Sequence, residues 1–185
     1  MILKRLFENL LVWAVRNQKI PTYISGMKLK LIVTLEECDV WLHDDGALRY
    51  VAKAAIDSDG SDNRHRDPCW QRDTSLNHEG KPIDAESVPY IVVPPSIIAG
   101  VPDVVLGCRA IVTNTENNRT CESVVADVGP RKKLGELSCE AARRLGLSGN
   151  PNNGGTSERI ILYEIFPGVP AKVDGVTYKL KPSAF

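Results

Sequence analysis

The chain has 185 residues, long enough for one domain with a substantial core and short for two. Its 23 Lys and Arg balance 23 Asp and Glu, so a formal net charge of zero gives no electrostatic footprint for nucleic acid or an anionic membrane. No apolar run reaches the length of a membrane-spanning helix, so no transmembrane segment is expected.

The first residues hold two cations, Lys4 and Arg5, ahead of apolar positions, but Glu8 and Asn9 interrupt the run and no small-residue cleavage pattern closes it. Leu3, Leu6, Phe7, Leu10, Leu11 and Ala14 recur at helical spacing instead. The spacing predicts an amphipathic helix over about residues 2–16, packed on the domain or on a partner. A linker follows through Pro21 and Gly26, so residues 1–26 read as helix and linker and 27–185 as one domain. Without a clear signal peptide, synthesis in the cytoplasm with action outside the cell is the expected route.

Leu29–Leu35 and Ala47–Ile56 read as strands. Asp57 to Val88 is polar and punctuated by Gly, Pro, Asn and Asp, which predicts a long loop of functional character. Tyr90–Pro94 is a short apolar strand stopped by prolines. Val104–Thr113 and Ser123–Asp127 pair around a turn at Asn114–Thr120. Ser138–Leu145 is a helix whose Leu137, Ala141, Ala142 and Leu145 share one face and which Gly146 ends. Ile160–Phe166 and Val176–Leu180 complete the strands. Many short strands with few, short helices predict a mainly β fold, a decorated barrel.

Cys38, Cys69, Cys108, Cys121 and Cys139 make an odd count, which suits reduced, mostly buried thiols better than a fully paired framework. Cys108 and Cys121 could meet across a hairpin, a pairing that spacing alone does not establish. His65 and Cys69 have no helical setting and no second ligand pair, so no zinc site is expected. Asp57-x-Asp59-x-Ser61 opens like a calcium loop, but Asp62 and Pro68 stand where that loop needs Gly and Glu. No metal or cofactor is expected.

Asp127 and Glu136 lie nine residues apart and bracket Gly129-Pro130. Asp127 ends an apolar strand, and Glu136 reads as the mouth of a helix. Fully extended, that stretch spans roughly 30 Å, so the chain must fold back for both acids to face one bond. Glycoside hydrolysis needs two such carboxyl groups, one to give a proton and one to activate water or attack carbon. Two assignments stand. Glu136 can be the acid and Asp127 the base; a helix N-terminus at Glu136 and apolar neighbours at Asp127 would reverse them. Gly135 lets the backbone turn sharply before Glu136. Trp70 offers an apolar platform for a sugar face.

Ala55-Ile-Asp57-Ser-Asp59-Gly60, Asp67-Pro-Cys-Trp-Gln-Arg-Asp73-Thr74-Ser75, Tyr90-Ile-Val-Val-Pro94, Asp127-Val-Gly129 and Gly135-Glu136-Leu-Ser138 occur in that order. Ala141 to Leu147 and Asn150 to Thr156 continue the series. Together, from about Leu48 to Pro167, they resemble the successive blocks of glycoside hydrolase family 75, the chitosanases. The resemblance implies a six-stranded double-psi β-barrel with Asp127 and Glu136 as the catalytic, inverting pair. It implies substrate contacts from Asp57, Asp59, Trp70, Asp73, Thr74 and Tyr90, in a cleft whose acids suit a polycation. Chitosan is then the first candidate substrate and a monomer the expected state. Ser58 stands where the family often has Cys, and the basic Arg131-Lys132-Lys133 where its loop is rich in Gly, Asp and Thr. Two rival functions stay open, a peptidoglycan-cleaving muramidase or lysin of a phage or toxin and a catalytically inactive glycan-binding barrel.

Overall fold

The structure, a computed structural model, describes residues 29–36 and 38–182. The helix expected over residues 2–16 and its linker lie outside the described residues. An antiparallel hairpin, β1 (Leu29–Leu35) and β2 (Cys38–His43), comes first. A turn at Gly46, with φ of +81°, leads into β3 (Leu48–Asp57). A long excursion follows, holding only the two-residue pair β4 (Asn77–His78) and β5 (Lys81–Pro82). The chain continues through β6 (Tyr90–Val93), α1 (Pro95–Gly100), β7 (Cys108–Asn114), β8 (Arg119–Val128), β9 (Glu136–Ser138) and α2 (Cys139–Arg144). It ends with β10 (Thr156–Pro170), β11 (Lys172–Val173) and β12 (Val176–Thr177).

Six of these strands close on themselves in the order β3-β10-β7-β8-β6-β9, with β9 returning to β3. Closure gives each of these six strands a partner on both sides and leaves β1 and β2 as an annex on β3. The pairings β3–β9 and β6–β8 are parallel, the other four antiparallel. The protein is therefore mostly β, with two short helices among the described residues.

Alternation along β3 turns Leu48, Tyr50, Ala52, Ala54 and Ile56 into the barrel, all buried. Small alanines there leave room for the Tyr50 and Tyr163 rings, which stack with centroids 4.8 Å apart. Helix α2 starts where Ser138 Oγ accepts from the Ala141 N–H at 3.1 Å, and ends at Gly146, whose φ is +76°. Leu137, Ala141, Ala142 and Leu145 are buried beneath it, as their spacing predicts.

Several expectations change. Glu136 does not open a helix: it begins strand β9, and the helix cap is Ser138. The last strand keeps only Val176–Thr177 of the expected Val176–Leu180. The first strand of the central pair starts at Cys108 rather than Val104, because Val101 to Gly107 is turn and bridge. Strand β2 and helix α1 were not anticipated. All five thiols are free, with Cys69 exposed and the others buried, and Cys108 and Cys121 do not pair.

Candidate active site

Strand register builds the site. Val92 of β6 is paired with Asp127 of β8 on one side and with Glu136 of β9 on the other. Glu136 in turn is paired with Ala55 of β3. Residues paired across a ladder share a face, so Asp127, Val92, Glu136 and Ala55 form one row across four strands. Asp57, two residues beyond Ala55, shares that face. The neighbouring Ile91, Leu137 and Ile56 point the other way, into the barrel. Two strand spacings put the Asp127 and Glu136 backbones about 10 Å apart on the outer wall.

Three local devices shape the row. The β6–β8 register slips between Ile91 and Val92, so that Val125 and Asp127 are paired and Ala126 is the extra residue. Such a bulge re-aims the side chain that follows it. Gly135 takes φ of +78°, and a Cβ there would lie 2.3 Å from the Lys53 carbonyl oxygen. Only glycine allows β9 to enter between β3 and β6 at that point. Gly129 is placed so that a Cβ would stand 2.9 Å from Val92 Cγ1 and 3.2 Å from Glu136 Oε2, which keeps the ground beside that carboxyl open.

Asp127 is buried, and its Oδ1 accepts from the Ser75 N–H at 3.0 Å, from the Ser75 hydroxyl, and from the Val128 N–H at 2.7 Å. Glu136 is half-buried. Burial raises its carboxyl above the ordinary range, the Lys133 charge opposes this, and the Asp127 charge adds to it. Asp57 is pushed up to about 8 by burial first and then by the Asp59 charge, with Glu136 and Asp127 adding. Asp59 is pushed up to about 6 by burial, opposed by the Gln71 N–H that its Oδ1 accepts at 2.6 Å. Four carboxyl groups thus share one patch, and burial with their mutual repulsion raises Asp57 further than Asp59.

The structure brings Asp57, Asp59, Asp127 and Glu136 together. Tyr90 stands behind them, fully buried, its hydroxyl donating to the Asp59 carbonyl at 3.2 Å. Thr74 is buried too, and its Oγ1 donates to Leu76 O and accepts from Ile83 N–H. The Tyr90 hydroxyl also meets the Asp57 carboxyl, so it belongs to the same polar cluster. Trp70 is half-buried and ties its indole N–H to Ser61 O at 3.1 Å. Asp73 is exposed. Arg131, Lys132 and Lys133 are exposed on the turn between the catalytic candidates. Sequence reasoning named Gly129 only as part of the turn between the acids and did not single out Ser75, which stands inside a motif already quoted; only the fold shows what they touch.

Among the described residues, two groups have donor atoms close enough to share a metal. Carboxylate oxygens of Asp57, Asp59 and Asp127 lie within 4.8 Å of one another, a set that suits a hard divalent cation. His65, Glu86 and Cys139 also lie within 4.8 Å. Glu86 is already engaged by Arg64, by Arg143 at 3.0 Å and by His65 Nε2 at 2.8 Å, and burial with Glu86 pushes the Cys139 thiol up to about 12. That cluster is an ion-pair clasp between the long loop and α2. Among the described residues no helix is long and apolar enough to cross a membrane. Comparison of the chain with protein-family models and with curated proteins found no match in either.

Proposed function

We propose that the protein is a glycoside hydrolase that cleaves β-1,4 bonds within an amino-sugar polymer, with chitosan as the first substrate. The observation that carries this reading is the pairing of Val92 with both Asp127 and Glu136, which sets two carboxyl groups on one face across a single strand. Inverting glycosidases hold their carboxyl groups about 6.5–9.5 Å apart to admit a water. Backbones about 10 Å apart on a shared face are compatible with that gap.

In the proposed mechanism Glu136, whose carboxyl burial raises above the ordinary range, gives a proton to the glycosidic oxygen as the bond to the anomeric carbon breaks. Asp127 takes a proton from a water on the opposite side of the ring, and that water's oxygen forms the new bond to the anomeric carbon. The helix-dipole argument for reversed roles loses its basis, since Glu136 stands on a strand ahead of the Ser138 cap. Asp59 and Asp127 would attract an ammonium-bearing sugar. The mixed parallel and antiparallel ring is consistent with a double-psi barrel, and the ordered motifs from Ala55 to Ser138 support membership of the family 75 type.

The test is reducing-end release from chitosan, chitin and purified peptidoglycan by wild type and Glu136→Gln. Release from chitosan, reduced by about a thousandfold or more in the variant, is expected. Release from peptidoglycan alone would move the substrate to the bacterial wall. No release from any of the three by wild type would overturn the hydrolase reading.

A further inference from the structure

We infer that Ser75 is the positioning residue for Asp127: it fixes which carboxylate oxygen faces the protein and which is left for the reacting water. The inference rests on the hydrolase reading above. Ser75 gives two donors to one oxygen, its N–H at 3.0 Å and its hydroxyl, and the Val128 N–H adds a third at 2.7 Å. Three donors on Oδ1 occupy that atom and orient the carboxylate plane, so Oδ2 is the atom left to accept a proton.

The neighbouring residue fastens the same segment to the bulge that aims Asp127. Leu76 N–H donates to the carbonyl of Ala126, the extra residue in β8, at 2.8 Å. A bulge leaves backbone groups without ladder partners, and this bond satisfies one of them. Ser75 and Leu76 therefore bind two consecutive residues of β8, the bulged one through its backbone and the acid through its side chain. The segment itself is held from two further directions. Thr74 Oγ1 bridges Leu76 O and Ile83 N–H at 2.7 and 2.8 Å, and Lys181 Nζ donates to Ser75 O at 2.9 Å. A Cβ on Gly60 would stand 2.2 Å from Ile83 O and 3.3 Å from Thr74 Cγ2, so the packing beneath is close. A side chain fixed on so rigid a bed loses little entropy when it orients its partner.

Removing the hydroxyl leaves both backbone donors and the Leu76–Ala126 bond in place, so Ser75→Ala keeps the fold and loosens only the carboxylate. On chitosan, kcat is expected to fall roughly 10–100-fold with KM little changed, and with the thermal midpoint within about 2 °C of wild type. Ser75→Thr, which retains the hydroxyl, restores most of kcat. If Ser75→Ala matches wild type in kcat, or if Ser75→Thr is as impaired as Ser75→Ala, the positioning role is wrong while the hydrolase reading stands. If wild type releases no reducing ends from chitosan, chitin or peptidoglycan, the hydrolase reading fails and this role falls with it.

Discussion

Asp57 holds a proton that an exposed aspartate would lose. Its carboxyl moves from 3.8 to about 8, chiefly by burial and then by the Asp59 charge. Between about pH 4 and about pH 8 the folded protein keeps that proton and the unfolded chain has released it. Stability from this residue is therefore full below about pH 4 and is lost as pH rises towards 8. Asp59, moved from 3.8 to about 6, adds a loss of the same sign over a lower window. His43 acts in the opposite sense. Burial, with the Arg49 charge, moves it from 6.5 down to about 4, so its contribution is lost as pH falls through that interval. Thermal unfolding should therefore show a midpoint that declines from pH 6 to pH 8. Asp57→Asn keeps an acceptor for the Asp59 N–H and cannot ionise, so it should flatten that decline. A variant whose midpoint falls as steeply as wild type over pH 6–8 would show that Asp57 is not the source.

At the scale of elements, three residues of β9 join two distant parts of the chain, since Glu136 is paired with Ala55 and with Val92. Gly135 makes that insertion possible, with φ of +78° and 2.3 Å between a would-be Cβ and Lys53 O. Gly135→Ala combines left-handed strain with a backbone clash, and should cost roughly 3 kcal/mol or more in denaturant unfolding. A loss below about 1 kcal/mol would mean that β9 enters the barrel differently.

The same element marks the limit of what the sequence carries. Leu29–Leu35, the run into Asp57, Tyr90–Val93 and the helix after Ser138 were legible because alternation, prolines, a cap and Gly146 each leave a local pattern. Strand β9 is too short for a period, and its partners are far along the chain, so Glu136 beside a capping serine looked like helix. Helix α1 is barely more than a turn and is rich in isoleucine, which hides its type. The annex strand β2 mixes Asp39 and His43 with its apolar residues, and its pairing with β1 is visible only in the fold. In the site, the paired acids were legible as residue types at a turn-bracketed spacing. That Thr74 and Tyr90 lie buried beneath them, and that Ser75 touches Asp127, depends on how residues 58–89 fold over the barrel wall, which no local pattern encodes.

On the scale of the whole molecule, a closed barrel gives a rigid wall, and a long polar loop gives that wall its partners. The loop is fastened by Glu86 to Arg143 of α2 at one side and by Ser75 and Leu76 to β8 at the other. The wall sets the spacing of Asp127 and Glu136 through two strand intervals, so the separation is a property of the sheet rather than of a flexible loop. That spacing is the centre of the account, because in the proposed mechanism it leaves room for a water between Asp127, the base, and the sugar, and so predicts inversion. The measurement that tests it most directly is proton NMR of fresh chitosan digests, read at the anomeric signals before mutarotation. The account predicts that the α-anomer of the new reducing end appears first and the β-anomer grows in later. A β-anomer formed first would mean retention through a covalent intermediate and would contradict the account.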